Sequence, residues 1–173
     1  MAITLIVEDG TGKDDANALV SLNDAKAYWD GRGTSYVSFT DDALSGAIVR
    51  ASAFLGAAYQ WRGDKINGRA QTMPWPRSGV TDRDGYDVAD NEVPREIIAA
   101  CCEIALFEAT TPGGMNPSVV LAEKVTSEQV GAIRIEYANL FSSASASRPV
   151  LLIVSDLVDQ FVDNAVGFEL LRV

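Results

Sequence analysis

A chain of 173 residues has the length of one ordinary domain and can bury a core without disulfides or metals. Its composition, 47% hydrophobic and 22% charged, is typical of a globular fold rather than a disordered segment. The net charge of −10 opposes general binding to phosphate backbones, and the absence of histidine removes the usual general base and metal ligand.

Two further classes of protein are not expected. The longest apolar runs are far shorter than a membrane span, and residues 1–20 show no basic start followed by an apolar core. We therefore expect no membrane contact and no signal peptide. Cys101 and Cys102 are adjacent and cannot easily pair with each other, so we predict buried free thiols, consistent with a reducing cytoplasm.

The first elements along the chain are short. Residues 3–7 are prone to form a strand, and the Asp-Gly and Gly pairs of residues 8–12 predict a turn after it. Gly-Thr-Gly-Lys at 10–13 suggests a phosphate cradle, but the full glycine-rich spacing ending in Lys-Ser/Thr is absent. Ser21 with Asp24 predicts the cap of a short helix that ends at residues 31–33.

A long helix is predicted next. Thr40 can cap its first turn, and Asp41 and Asp42 lie where the helix dipole favours negative charge. An apolar stripe at helical spacing follows: Leu44, Ile48, Ala51, Leu55 and Ala58. We expect this helix to end at Trp61-Arg62-Gly63 and to be the central post of a small bundle.

The loop of residues 61–85 is the main surface feature that we expect. It holds two of the three tryptophans and five of the fourteen basic residues. Aromatic rings among cations could stack on single-stranded bases. The alternative, which we favour, is that the tryptophans close the edge of the core while the arginines pair with carboxylates, or that the loop is a protein interface.

Two acidic patterns resemble metal or acid–base sites, and we interpret both otherwise. Residues 82–85 with Asp87 match part of a calcium loop, but Val80 and Asn91 occupy the places of its first and last ligands, so we predict a β-turn. A helix then begins near Pro94. Its three glutamates have no matching ligands and are expected on a solvated face: Glu96, Glu103 and Glu108.

The C-terminal third is predicted to be a hairpin, a connector, a helix and a tail. Residues 119–125 and 132–137 form the two strands around a turn at 127–131. Since an isolated ribbon is marginal, the hairpin should lean on the bundle or on a neighbouring subunit. A flexible Ser/Ala connector, an amphipathic helix after Pro149 and an apolar tail at 168–173 follow, and the tail should fold back or dock on a partner.

The predicted fold class is therefore mainly α: a small bundle of about four helices with a long Trp/Pro/Arg loop, a β-hairpin, a C-terminal helix and a tail. One domain spans residues 1–173, with a helical core at about 15–118, the hairpin at about 119–138, the connector at 142–148, and the helix and tail at 149–173.

An ordered set of short motifs carries a resemblance to a known family. The motifs are Val-Glu-Asp-Gly-Thr-Gly at 7–12, Ala-Tyr-Trp at 27–29, Gly-Arg-Gly at 31–33, Tyr-Gln-Trp-Arg-Gly at 59–63, Trp-Pro-Arg-Ser-Gly-Val at 75–80, Asp-Gly at 84–85 and Val-Pro at 93–94. In this order, over most of the chain, they resemble the tailed-bacteriophage proteins labelled DnaT-like single-stranded-DNA-binding proteins. Those proteins are similar to head–tail connector (adaptor) proteins.

The resemblance implies a structural virion protein, made in the host cytoplasm and located at the head–tail interface. It implies a ring, dodecameric in such adaptors, that sits beneath the portal protein, extends the DNA channel without binding DNA specifically, and receives the next head-completion or tail component. The portal-binding role would fall to the tail: Phe168, Leu170, Leu171, Arg172 and Val173. Contacts between subunits or with neighbouring components would fall to Trp61, Arg62, Trp75, Arg77, Ile133, Ile135 and Tyr137.

The family label and the connector role imply different surfaces toward DNA. A subunit that lines a channel through which DNA slides should not grip phosphates, and an acidic chain suits that role. A single-strand binder needs a basic groove with stacking rings. The residues available for that alternative are Trp61, Trp75, Arg62, Arg69 and Arg77. We favour the connector, and we expect no enzyme, no cofactor and no metal, because no nucleophile is spaced to meet a base.

Overall fold

The computed structural model describes residues 3–117, 127–130, 133–136 and 148–163, and these are mainly α-helical, as predicted. Four α-helices are present in this part of the chain: α1 (Leu22–Gly31), α2 (Asp41–Ala58), α3 (Arg95–Thr110) and α4 (Leu152–Val158). Within the described ranges, no helix combines the length and apolarity needed to span a bilayer.

Local capping starts the first two helices where the sequence predicts. The side chains of Ser21 and Thr40 each accept a hydrogen bond from the amide three residues later, which satisfies a donor that the helix itself leaves unpaired. The end of α2 differs from the prediction. The helix stops at Ala58, because Tyr59 already has extended backbone geometry, and the Trp61-Arg62-Gly63 motif lies beyond it.

The central helix of the bundle is α3, and the prediction that the helix after Thr40 is the central post was wrong. Among the described elements, α3 contacts each of the other three helices, whereas α2 contacts only α1 and α3. Buried residues of α3 include Ile97, Cys101, Cys102 and Ile104, so its apolar surface is broad enough to receive helices on several sides.

The two cysteines are buried free thiols, as predicted. Burial raises the pKa of Cys101 to about 11, although hydrogen bonding to Ser52 opposes the rise. Burial also raises the pKa of Cys102, whose carbonyl oxygen accepts a hydrogen bond of 3.1 Å from Nε1 of Trp29. Both thiols are therefore packing groups between α3 and its neighbours.

Short β-structure differs from the prediction at the N-terminus and within the loop. Residues 3–7 form no strand; Val7 makes only a single parallel bridge to Ala18. The loop after α2 instead contains a short antiparallel pair that the sequence did not reveal, β1 (Asp64–Lys65) and β2 (Arg77–Ser78).

The hairpin consists of β3 (Ser127–Val130) and β4 (Ile133–Glu136), paired antiparallel. The second predicted strand is confirmed by β4. The predicted turn at 127–131 was wrong, because residues 127–130 form β3, in which Val130 pairs with Ile133. The predicted strand at 119–125 lies outside the described residues.

The C-terminal helix is confirmed but shorter than predicted. After α4, the chain continues as a 3-10 turn (Asp159–Phe161), and Val154, Val158 and Phe161 are buried. Val150 precedes the helix and is 60% exposed. Tyr137, the connector at 142–147 and the tail residues Phe168, Leu170, Leu171, Arg172 and Val173 lie outside the described residues.

Candidate interaction surfaces

Trp75 belongs to the core and not to the surface. Its ring is completely buried and meets the rings of Trp61 and Phe161 edge-on, with centroids 5.9 and 5.4 Å away. A ring without exposed surface cannot stack on a base or contact a neighbouring subunit. The structure therefore removes Trp75 from both sets of predicted contact residues.

Trp61 closes the edge of the core, as the favoured interpretation predicted. Its Nε1 donates a 3.0 Å hydrogen bond to the carbonyl of Leu55 near the end of α2, and its ring lies 5.4 Å from that of Tyr59. Its backbone forms an isolated bridge with Val162. Trp61 therefore joins the end of α2 to the C-terminal segment while one part of its surface stays exposed.

Arg77 links two segments of the loop, residues 61–63 and residue 74, through hydrogen bonds to their backbone carbonyls. Its guanidinium donates hydrogen bonds to four backbone carbonyls, those of Trp61 (3.3 Å), Arg62 (2.7 Å), Gly63 and Pro74 (3.2 Å). Burial lowers the pKa of Arg77, with Asp64 acting in the opposite direction. The prediction that the loop arginines pair with carboxylates was wrong here, because the acceptors are main-chain oxygens that the irregular loop leaves without ladder partners.

Other loop cations follow the same pattern. Lys65 donates through Nζ to the carbonyl of Gln71 at 2.9 Å, and burial lowers its pKa. Arg62 donates to the carbonyl of Gln160 at 3.1 Å, and the guanidinium of Arg83 donates to the carbonyl of Asp156 at 3.4 Å. These bonds tie the loop to itself and to the end of α4, and none of them places a cation in an open groove.

We expect Arg77→Ala to lower stability and Arg69→Ala to leave it unchanged. Arg69 is exposed on a 3-10 turn of the same loop, and it is the matched control. Loss of Arg77 leaves the partly buried contacts at the carbonyls of Trp61 and Pro74 without their donor, at about 1–3 kcal/mol for a buried unpaired group, whereas water can replace the donor at the more exposed carbonyls of Arg62 and Gly63. Thermal unfolding and protease sensitivity of the two variants test this. Equal effects would contradict the structural role of Arg77.

The N-terminal turn is filled by a carboxylate of its own chain. Glu8 is buried, and its two oxygens accept backbone hydrogen bonds from Gly10 (3.0 Å), Gly12 (2.9 Å) and Lys13 (2.9 Å). These are the amides that a phosphate would need. The Gly-Thr-Gly-Lys motif therefore surrounds a carboxylate of the same chain. Asn67 joins this turn to the loop after α2, because its side-chain amide donates 2.8 Å hydrogen bonds to the carbonyls of Thr11 and Gly12.

The Asp82 turn is confirmed as a turn. One carboxylate oxygen of Asp82 accepts hydrogen bonds from the amides of Asp84 (3.0 Å) and Tyr86 (2.8 Å). This oxygen is thus occupied by the local backbone. Across the residues that the structure describes, no group of three or more acidic or cysteine side chains is arranged to hold a metal ion.

The glutamates of α3 do not form the solvated face that the sequence predicted. Glu108 is buried and forms an ion pair with Arg50 of α2 at 2.7 Å, while the amides of Gly113 and Met115 donate to its oxygens at 2.7 and 2.9 Å. Glu103 is half-buried and accepts a 2.8 Å hydrogen bond from the hydroxyl of Tyr28. Both carboxylates fasten α3 to its neighbours.

Exposed apolar side chains are concentrated at the start of α4. Val150, Leu152 and Ile153 are 60%, 67% and 40% exposed, whereas Leu151 packs against the core. Sequence reasoning missed this surface, because which residues of 150–154 are exposed depends on where the helix begins. Ile133 and Ile135, two of the predicted contact residues, lie on β4.

Comparison with known proteins gives one match. The family model described as "Putative DnaT-like ssDNA binding protein" matches residues 3–173. No curated protein and no solved structure is similar enough to this chain to match it.

Proposed function

We propose that this chain, which belongs to the DnaT-like ssDNA-binding protein family, is a non-enzymatic structural subunit of a bacteriophage head–tail connector. In this role, copies assemble as a ring below the portal protein, extend the DNA channel and present a platform to the next head-completion or tail component. DNA passes through the ring without specific binding, and the protein is located in the virion.

The observation that carries the proposal is the internal use of the Trp/Arg loop. Trp75 is fully buried, Trp61 is fixed against α2, and Arg77 donates to four backbone carbonyls of the loop. A single-strand binder needs these groups free, with rings open for stacking and cations along a groove. With these groups used internally, the protein surface is dominated by the net charge of −10, which suits a surface along which DNA slides without being held.

The exposed apolar surface supports a role in protein assembly. Val150, Leu152 and Ile153 lie close together in the chain at the start of α4. Clustered exposed apolar residues mark protein–protein contact surfaces more often than scattered ones. A connector subunit needs such surfaces, since it contacts other copies and other virion components.

Single-stranded DNA binding is the second candidate, and the family description favours it. The exposed cations of this loop are Arg62, Arg69 and Arg83. Without Trp75, stacking in this loop would depend on the exposed part of Trp61. This candidate predicts fluorescence quenching by an oligonucleotide, and Trp61→Phe would remove that signal.

The test is to mix the protein with the portal protein of the phage that encodes it, and to examine the mixture by electron microscopy and sedimentation. We expect rings on the portal. A variant lacking 168–173 should lose portal binding while its melting temperature stays unchanged, and a full-length Glu169→Gln variant is the control. Fluorescence titration with a single-stranded oligonucleotide is run in parallel at low and moderate salt. Tight oligonucleotide binding at physiological ionic strength, with no portal complex, would overturn the proposal.

A further inference from the structure

The loop after α2 contains the one Asn-Gly pair of the sequence, Asn67-Gly68. Asparagine is a chemically labile residue, and a following glycine, which has no Cβ, leaves its backbone nitrogen open to react with the asparagine side chain. The Gly68 nitrogen bonds to Cγ of Asn67, the bond from Cγ to Nδ2 breaks, and the Gly68 amide proton leaves with Nδ2 as ammonia. Water then opens the succinimide ring to aspartate or isoaspartate, so that a carboxylate replaces a neutral amide.

The side chain at risk joins two segments that are distant in the chain. Nδ2 of Asn67 donates 2.8 Å hydrogen bonds to the carbonyls of Thr11 and Gly12 in the N-terminal turn. The approach is close, because a Cβ on Gly12 would lie 2.7 Å from Nδ2. Both partners are carbonyl oxygens, so only a donor can occupy this place.

The folded loop keeps the reacting atoms apart. The backbone angle ψ of Asn67 is 19°, so the Gly68 nitrogen nearly eclipses the backbone nitrogen of Asn67 and points away from its Cβ. Ring closure needs the Gly68 nitrogen on the Cβ side, next to Cγ. Rotation toward that geometry is opposed by a 3.1 Å hydrogen bond from the Ala70 amide to the Asn67 carbonyl, and by the two bonds of Nδ2. The loop must therefore open before the reaction can proceed.

The product cannot restore the junction. An ionised carboxylate has no hydrogen to donate, and at residue 67 it would face the two carbonyl oxygens of Thr11 and Gly12. The turn also encloses the buried carboxylate of Glu8, which accepts the Gly12 amide at 2.9 Å. A second negative charge beside this turn is repelled. The reaction therefore removes two hydrogen bonds and adds repulsion.

A second junction holds the rest of the turn in place. The Thr72 amide donates to the carbonyl of Lys13 at 3.1 Å, and the Thr72 hydroxyl donates to the carbonyl of Ala16 at 2.8 Å. These bonds do not involve Asn67. Loss of the Asn67 junction should therefore release one edge of the turn while the helices stay folded.

We propose that Asn67-Gly68 is a deamidation site that reacts when the loop opens, and that the product keeps the N-terminal turn detached from the loop. The hydrogen bonds of Asn67 thus protect the residue that makes them. Each opening that leads to reaction is irreversible, because ammonia leaves and the carboxylate has no donor for the turn.

The rate of deamidation tests the protection. The full-length chain is incubated at mildly alkaline pH, folded in buffer or unfolded in urea, and peptide mass spectrometry follows the conversion of each asparagine. We expect Asn67 to react at least about tenfold more slowly in the folded chain, as local opening limits the reaction. Asn91, which is exposed and precedes glutamate, is the internal control and should react slowly in both states. Equal rates at Asn67, or no reaction in urea, would overturn the inference.

Three variants test the effect of the product. Asn67→Asp reproduces the aspartate product, Asn67→Ala removes the donors without adding charge, and Asn91→Asp adds the same charge at an exposed position. Hydrogen exchange of the amides that donate to Glu8 is the readout: Gly10, Gly12 and Lys13. We expect exchange several-fold faster in Asn67→Asp than in Asn67→Ala and unchanged in Asn91→Asp, with α2 protected in all three.

The variants can also contradict the proposal. Exchange in Asn67→Asp no faster than in Asn91→Asp would show that the turn stays attached without the amide, and the proposed detachment would be wrong. Equal exchange in Asn67→Asp and Asn67→Ala would refute the repulsion by the carboxylate. If Asn67→Asp fails to fold, isolated deamidated wild-type chain is measured in its place, since it acquires the carboxylate after folding.

Discussion

Replacing Trp75 by alanine should remove about 3–5 kcal/mol from the free energy of unfolding, the range typical of a buried large aromatic residue cut to a methyl group. The expectation follows from complete burial and from the edge-on contacts with Trp61 and Phe161. These rings join the end of α2 to the segment after α4, so their loss opens a cavity between elements that are distant in sequence. A marginally stable domain loses a large share of its stability by such a change.

Urea unfolding monitored by circular dichroism measures this effect. Trp61→Ala should cost less, because Trp61 is only half-buried, and Tyr86→Ala should change little, because Tyr86 is 72% exposed. If Trp75→Ala lowers the free energy of unfolding no more than Tyr86→Ala does, the Trp75 ring is not in the core. Trp75 would then again be available to stack on single-stranded DNA.

Glu108→Gln should destabilise the fold at neutral pH. Burial by itself would raise the pKa of Glu108, but hydrogen bonds from the Met115 amide, Arg50 and the Gly113 amide together hold that pKa below its ordinary value of 4.5. The substitution keeps the shape and removes the charge on which Arg50 depends. We expect a loss of about 1–3 kcal/mol at neutral pH, toward the lower end because the Arg50 side chain is partly exposed.

The pH dependence of that loss has a definite sign. Because the pKa is lower in the folded state, the charge of Glu108 contributes fully above its unfolded value of 4.5, and the contribution fades as pH falls through the lower folded value. The stability difference between wild type and Glu108→Gln should therefore shrink below about pH 4. Glu96→Gln, which removes a pair with the exposed Arg95, is the control and should cost little at any pH.

Local chemistry made several elements predictable. The hydroxyls of Ser21 and Thr40 cap helices wherever an amphipathic run follows, and both predicted starts are confirmed. The stripe from Leu44 to Leu55 is buried, as its spacing predicted. The Asp82 turn likewise depends on hydrogen bonds within five residues.

Predictions failed where a residue's partner is distant in sequence. Glu108 looked like part of a solvated helix face because its ion-pair partner, Arg50, is 58 residues earlier. Arg77 looked like an exposed cation because its acceptors are carbonyls of a loop whose path cannot be read from spacing. The prediction that α2 is the central helix failed for a similar reason. Which helix contacts all the others depends on how the helices pack, and in the described structure that helix is α3.

By itself, the sequence determined the mainly helical class, the helix starts, the buried thiols and the acidic charge, because each depends on composition or on residues within a few positions of one another. Only the tertiary structure decided that Trp75 lies inside, that Glu8 and Glu108 are internal anions, and that the start of α4 is an exposed apolar surface. Those outcomes depend on burial, which is set by contacts between segments far apart in the chain, and a one-dimensional pattern carries no record of them.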